Sequence, residues 1–455
     1  MSDLPVSCII GAGSSGVTTA KALMERGLPF DCFDASDDIG GNWYFQNPNG
    51  TSSAYQKLHI DTSKSKMQYS DFPMPAEYPN YCHHSQVLAY FRSYADHFGV
   101  RERITFNTGV DRADRGADGV WNVRLSTGET RAYDALFVCN GHHWAPRWPE
   151  PAFPGALNGQ VIHSHDYRDA EAYRGKNVVV LGMGNSAMDI AVECSYTANQ
   201  VYLAARRGAH IVPKYLLGRA ADQWAIPALP WWISRIVLAK MLWLQVGRME
   251  QYGLPKPDHK LLEAHPSVSS GILDRIAHGE IRPKSNIASL EGDRVRFVDG
   301  SSEAVDAVIY CTGYQVKFPF FDDQFLSAPD NDLPLYLRMF KPGINNLIFI
   351  GLMQPLGAVF PLAEQQAKLA AEYLSGNCVL PSEAEMNAVI EADRKRMFAR
   401  YIPSKRHTMQ VDYDPFMKSL KREQRQGARR ARATGNRLPV PPKTSPREPR
   451  GASRG

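Results

Sequence analysis

The stretch VSCIIGAGSSGVTTAKALMERG, Val6 to Gly27, reads as a β-branched and apolar run, a glycine-rich turn, and then a helix. Its three small positions, Gly11, Gly13 and Gly16, have the GxGxxG spacing. Missing Cβ atoms let such a backbone approach a pyrophosphate, and the helix N-terminus offers N–H groups and the positive end of its dipole. One GxGxxG is weak evidence by itself; its weight comes from the strand–turn–helix context around it.

That design occurs twice. NVVVLGMGNSAMDIAVECSY, Asn177 to Tyr196, repeats it, with Gly182, Gly184 and Ala187 each 171 residues beyond Gly11, Gly13 and Gly16. A second echo links VRLSTGETRAYDALFVCNGHH, from Val123, to VRFVDGSSEAVDAVIYCTGYQ, from Val295, at an offset of 172. In both copies a short strand pair leads into an apolar strand ending near a glycine, Gly141 or Gly313. Two matching offsets define two related units and an α/β fold with two Rossmann-like dinucleotide-binding domains.

The two copies ask for different nucleotides. The strand PFDCFD ends in Asp34, 23 residues past Gly11. An acid at that strand end accepts hydrogen bonds from a ribose 2′-hydroxyl and repels a 2′-phosphate. The same step from Gly182 lands on Ala205, followed by Arg206 and Arg207. Guanidinium groups at that position pair with a 2′-phosphate. The economical assignment is FAD in the first unit and NADPH in the second, with hydride passing between them.

Composition narrows the class. At 455 residues, 44% hydrophobic and 22% charged, the chain suits a multidomain globular protein. Seven scattered cysteines, several inside strand-like apolar runs, suit reduced thiols in a cytoplasmic location. None forms a CxxC pair, which removes the disulfide reductases. The N-terminus enters a strand directly, without the basic and apolar regions of a signal peptide. His83-His84, His142-His143 and His163-x-His165 lie in no metal-binding spacing, so no metal is assigned. Gly-x-Ser-x-Gly is absent, leaving a hydrolase reading without support.

The net charge of +5 is unevenly spread. Lys418 to Gly455 holds twelve Lys/Arg against two Asp/Glu, which leaves the rest of the chain at −5. This stretch lacks aromatics and is rich in Pro, Gly and Arg, so composition predicts a solvated, disordered basic tail with no specific nucleic-acid role. Trp224 to Met249 is apolar and Trp-rich but carries Arg235, Lys240 and Arg248, a poor spanning helix. It reads as an amphipathic segment packed on the protein, with peripheral membrane contact as the alternative.

With these blocks in place the chain resembles the flavin-containing monooxygenases, from about Val6 to about Leu374. The family's Phe-x-Gly-x-x-x-His-x-x-x-Tyr/Phe signature is met by LNGQVIHSHDYR, where Gly159, His163 and Tyr167 match and Leu157 replaces the Phe. GGNW (Gly40 to Trp43), MQYSDFPMPAEYPNY (from Met67), CTGY (Cys311 to Tyr314) and IGLMQPLGAVFPLAEQQA (from Ile350) are similar to further family blocks. The resemblance implies that NADPH reduces the flavin, O₂ adds to it, and the flavin hydroperoxide oxygenates a small soft nucleophile, an amine nitrogen or a sulfide sulfur. For the FAD site it implies Gly11, Gly13, Ser15, Gly16, Asp34, Gly41, Asn42, Trp43, His59, Thr62, Val110 and Gln354. For NADPH it implies Tyr167, Gly182, Gly184, Asn185, Ser186, Arg206 and Arg207.

KLHIDTSKSKM departs from the family, which has Asn where Asp61 stands. An ionised Asp would repel a peroxyflavin anion, whereas a carboxyl kept protonated by burial would donate a hydrogen bond. Related Baeyer–Villiger enzymes use an active-site Asp, so ketone oxygenation is the alternative activity. Asp61 is the candidate catalytic residue. The expected division is a first FAD part over 1–168, an inserted NADPH unit over 169–319 with a substrate region at about 215–270, and a return to the FAD unit over 320–410. The 418–455 tail follows, and a homodimer is the remaining partner expected.

Overall fold

Ser7–Ile10 has no charged residue and is buried along its whole length, as a strand covered on both faces must be. It is a central strand of a six-stranded sheet in the order Phe340–Lys341, Ile344–Phe349, Ala135–Val138, Ser7–Ile10, Phe30–Phe33, Ile104–Thr105. Only the pair Phe340–Lys341 with Ile344–Phe349 is antiparallel. This computed structural model describes residues 4–224, 231–401 and 407–444.

The second glycine turn grows from Asn177–Leu181, the middle strand of a five-stranded parallel sheet. Its order is Gln160–His163, Ala307–Tyr310, Asn177–Leu181, Gln200–Ala204, Ile281–Lys284. The duplication seen in sequence is a duplication of structure: helices begin at Ser14 and at Asn185, directly after each turn. Equivalent neighbours flank each central strand, with Ser7 opposite Phe30 and Ala135, and Val178 opposite Val201 and Ala307. Each unit also carries a three-stranded antiparallel meander, Val110–Arg115 to Thr130–Tyr133 and Ile287–Gly292 to Ser302–Ala304.

The first unit is discontinuous. Ile344–Phe349 completes its sheet, and the helix Phe360–Leu374 packs against Ser14–Glu25. The crossing lies earlier than the expected boundary at 168. Gly155–Leu157 and Gln160–His163 join sheets of the second unit, and the ribbon Ala145–Pro146 with Tyr314–Gln315 marks the two passages of the chain. The sequence hid this because QVIH is short and precedes the glycine turn from which the repeat was recognised.

Within the second unit, Ile211–Val212 pairs with Ser267–Val268 and closes the base of an insertion. The insertion carries the helix Trp231–Val246, whose Trp232, Ile236, Trp243 and Leu244 are exposed. Residues 225–230 of the apolar stretch lie outside the described residues. Among the described residues no helix is long and apolar enough to cross a membrane.

The basic tail is corrected by the structure. Tyr413–Thr434 is a 22-residue helix on Phe360–Leu374, with Leu420, Glu423, Gly427 and Ala431 buried. Beyond it, Lys443 N and Thr444 Oγ1 donate to Asp134 at 2.8 Å each, and the same carboxylate accepts from Val6 N at the start of the first strand. Average composition concealed a one-sided pattern, in which small and apolar residues at helical spacing face inward. Lys418, Lys421, Arg422, Arg425, Arg429 and Arg432 face water. Residues 445–455 of that predicted tail lie outside the described residues.

Candidate active site

The carboxyl ends of both parallel sheets open on one cleft, where ligands of doubly wound folds bind. Its volume is about 1940 Å³, against roughly 300–1,000 Å³ for a pocket holding one drug-sized ligand. Two dinucleotides fit that size.

The two turns are built alike. Gly11 has φ +99°, and a Cβ there would lie 2.8 Å from the carbonyl oxygen of Cys139. Gly182 has φ +145°, and its Cβ would lie 2.7 Å from the carbonyl oxygen of Cys311. Cys139 and Cys311 end the equivalent neighbouring strands, so both turns need glycine for the same reason. Gly16 fills no cleft wall; its Cα packs on the Gly11 carbonyl beneath the turn. Its counterpart Ala187 has room for a methyl group, 3.4 Å from the Gly182 Cβ position. Both helices start from a glycine N-cap, Gly13 or Gly184, and no side chain caps either one. Their first N–H groups are therefore left for an anionic ligand, which fits a pyrophosphate.

Around the first turn, Asp34 Oδ2 accepts from Ala12 N at 2.6 Å and Oδ1 from Ser36 N at 2.8 Å. Burial pushes its carboxyl up, and those two N–H groups oppose the shift. Gly41, Asn42 and Trp43 form a short 3₁₀ turn facing Gly13; Asn42 Oδ1 accepts from Ser53 N at 2.8 Å, and Trp43 meets Phe360 edge-on. Ser15 lies against Gly351, which brings the IGLMQPLG segment back to the first turn and places Gln354 on the cleft wall. His59, Thr62 and Val110 also line the cleft.

From the second unit come Gly182, Gly184, Asn185, Ser186, Arg206 and Arg207. Arg207 Nε already donates to Asp258 of the insertion at 2.7 Å. Tyr167 is not on the cleft. It is 1% exposed, its hydroxyl donates to Glu193 at 2.7 Å, and its ring packs on Tyr55 and Tyr173.

Asp61 sits where the units meet. Asn185 Nδ2, from the first turn of the second helix, donates to Asp61 Oδ2 at 2.6 Å. The Nζ of Lys214 is 3.6 Å from Oδ1, and that oxygen is buried without a hydrogen-bond partner. Burial, then the negative charge of Asp189, push the Asp61 carboxyl up to about 7 against Lys214 and Asn185. Asp189 lies one helical turn beyond Asn185 and accepts from Tyr55 OH at 2.6 Å. Sequence reasoning passed over Tyr55, Asp189 and Lys214. The i, i+4 spacing of Asn185 and Asp189 was a usable signal for the second; nothing local marks Lys214 or Tyr55.

Two dinucleotide turns on one cleft, with an acid at one strand end and arginines at the other, define a flavoprotein oxidoreductase that binds two nucleotides. The chain belongs to the flavin-binding monooxygenase-like family, whose model matches residues 6–425. Flavin-containing monooxygenase 5 of Cavia porcellus is 39% identical, over 90% of this chain and 81% of that protein. Dimethylaniline monooxygenase [N-oxide-forming] 2 of Rattus norvegicus is 35% identical, over the same shares. Among solved structures, S-allyl-L-cysteine S-oxygenase from Allium sativum superposes with a TM-score of 0.70 at 26% identity, covering 95% of this chain and 94% of that one. Cyclohexanone monooxygenase from Rhodococcus sp. Phi1, bound to NADP⁺, shares the fold with a TM-score of 0.72 at 16% identity, covering 96% and 99%. This protein is an NADPH-dependent flavin monooxygenase that uses FAD and O₂.

Proposed function

We propose that the enzyme oxygenates a small soft nucleophile, an amine nitrogen or a sulfide sulfur, with Asp61 at the flavin's reactive face. The observation that carries this reading is the Asn185–Asp61 hydrogen bond, which ties the second nucleotide turn to a cleft-lining acid of the first unit. The relatives named for N-oxide formation and S-oxygenation support the substrate class.

Bound FAD supplies the redox chemistry, taking hydride from NADPH and passing electrons to O₂. The chain's residues do the rest. The Gly11–Gly16 turn, Asp34, the Gly41–Trp43 turn and Ser15 would hold the FAD, with His59, Thr62, Val110 and Gln354 lining its end of the cleft. The Gly182–Ser186 turn and Arg206 would hold NADPH, with Arg207 shared between the 2′-phosphate and Asp258. Leu238, Leu242, Leu261 and Leu262 of the insertion keep the substrate end apolar and limit water, which a reaction with O₂ requires. A neutral Asp61 would donate a hydrogen bond there without repelling the charge that oxygen acquires.

The FAD unit is proposed to be split by an NADPH unit that begins at about 155, ahead of the boundary expected from the repeat, and runs to about 319, with the substrate region at about 215–270. Seven unpaired cysteines support a cytoplasmic location. The exposed Trp232, Ile236, Trp243 and Leu244 face is proposed to rest on a membrane surface, with a homodimer as the competing cover. Vesicle co-sedimentation and solution mass separate the two.

A panel of tertiary amines, sulfides and ketones tests the function, with products identified by mass. Amine oxides or sulfoxides are expected. A ketone converted to an ester, with no heteroatom product, would replace this reading by the second one, which the Asp at position 61 favours.

A further inference from the structure

The polar face of the helix Asn185–Cys194 is aimed at Asp61. Asn185 and Asp189 are one turn apart and lie on the same side of that helix. Asn185 holds Asp61 Oδ2, and its own Oδ1 accepts from Val268 N at 3.0 Å, which fixes the amide orientation. Asp189 is held by Tyr55, itself 4% exposed, through a short 2.6 Å hydrogen bond.

Among the described residues, few charges bear on this pair. Lys214 is the cation that bears on both carboxyls, and its ammonium donates to Ile60 O at 3.2 Å and lies over the Tyr81 ring. Tyr81 and Tyr55 are neutral phenols whose ionisation burial opposes. Asp222 faces the same wall but accepts from Ser63 N and Oγ at 2.9 and 2.6 Å. His59, beside Lys214, has its imidazole pushed down by burial and, to a smaller extent, by that ammonium. Glu193, a further turn along, accepts from Tyr167 and is pushed up to about 7 by burial.

One ammonium cannot neutralise two half-buried carboxylates. With both ionised, the site carries an uncompensated negative charge, and Asp61 Oδ1 remains a buried anionic oxygen without a donor. Such an arrangement is costly, and a single retained proton removes both defects. The phenol of Tyr55 stabilises the anion on Asp189, so the proton belongs on Asp61.

We propose that Asp189 is a positioning residue for oxygenation, acting through Asp61: the two share one negative charge, held on Asp189 by Tyr55, so that Asp61 stays a neutral hydrogen-bond donor on the cleft wall. This rests on the reading that places Asp61 at the flavin's reactive face. Asp189 touches neither nucleotide site; it controls the protonation of a residue that does. The two acids titrate as a coupled pair, with Asp189 giving up its proton first and Asp61 second.

The test uses the holoenzyme and its D189N, Y55F and D61N variants. The amide oxygen introduced by D189N can still accept from Tyr55, so this variant removes the charge and keeps the hydrogen bond. The first readout is the carboxylic C=O infrared band lost in D61N, followed against pH; it reports Asp61 without turnover. In D189N its midpoint falls by about one unit, because removing a like charge that shares the site lowers the pKa of the remaining carboxyl. Y55F, which destabilises the Asp189 anion, moves it in the same direction and serves if D189N does not fold. The second readout is hydrogen peroxide released per NADPH oxidised, whose rise with pH shifts down by the same amount in D189N. An unmoved infrared midpoint overturns the charge sharing, whatever the peroxide profile does. A moved midpoint with an unmoved peroxide profile overturns the role of Asp61 at the flavin, and with it the positioning role of Asp189.

Discussion

At the scale of single residues, the protonation of Asp61 has consequences for turnover and for stability. As pH rises through about 7 its carboxylate forms, and repulsion grows against the negative charge that O₂ takes up on reduction. Peroxide released per NADPH should therefore climb in the wild type and stay level in D61N; identical profiles would remove Asp61 from control of oxygen transfer. The same group links pH to folding. Its folded pKa is raised, so between the ordinary carboxylate range near 4 and about 7 the native state binds more protons than the unfolded chain. Its contribution to stability thus falls with rising pH, by up to about 1.4 kcal/mol per unit across that window. Subtracting the D61N melting profile from the wild-type profile reads this slope together with the change that losing Asp61 makes in the titration of its coupled neighbour Asp189. At the other nucleotide, Arg206→Ala should raise KM for NADPH roughly tenfold or more and leave KM for NADH nearly unchanged, as charge-assisted hydrogen bonds contribute about 1.5–3 kcal/mol. Arg207→Ala should do less, because Asp258 already engages that guanidinium. Equal losses for both nucleotides would show that neither arginine reads the 2′-phosphate.

Among the elements, the C-terminal helix Tyr413–Thr434 departs most from what composition predicted. It covers Phe360–Leu374, which itself supports the first glycine-turn helix, and Gln410–Asp412 just before it pairs with Gln354–Leu356 on the cleft wall. Buried Glu423 accepts from Tyr336 OH at 2.7 Å and pairs with Arg430. Removing Lys418 to Gly455 would uncover this face, so the truncated protein should melt several degrees lower and lose flavin more readily on dilution. Unchanged melting and flavin content would mean that the helix adds nothing to the fold. A narrower variant makes the same point. A Cβ at Gly427 would be driven into Cys378 Sγ, so Gly427→Ala should destabilise by about 1–3 kcal/mol, the usual cost of overpacking. Thermal or urea unfolding reads this directly, and a neutral outcome would show that the helix can move away from Cys378.

For the molecule as a whole, the first sheet closes only when residues from both ends of the chain meet. Ile344–Phe349 flanks Ala135–Val138, and Asp134 is bonded by both Val6 and Thr444. A fragment of residues 1–168 lacks that strand, the helix Phe360–Leu374 and the C-terminal arm. It should show no cooperative unfolding and no flavin retention, by circular dichroism and flavin fluorescence. A stably folded, flavin-binding fragment would mean that the sheet does not need its late strands.

What sequence alone determined is local or periodic. Strand–turn–helix runs, glycines where carbonyls crowd the backbone, and an acid or arginines at a fixed step past each turn are written in neighbouring residues. Repetition at offsets of 171 and 172 made them legible twice over. The tertiary structure alone decided three matters that depend on long-range partners. Tyr167 lies in a core beside Glu193 rather than in the cleft. The strand Gln160–His163 belongs to the second sheet, because its partner Ala307–Tyr310 is far away in sequence. Around Asp61, Tyr55, Asp189 and Lys214 come from three separate segments, and only their convergence takes the Asp61 carboxyl out of water and pushes it up to about 7.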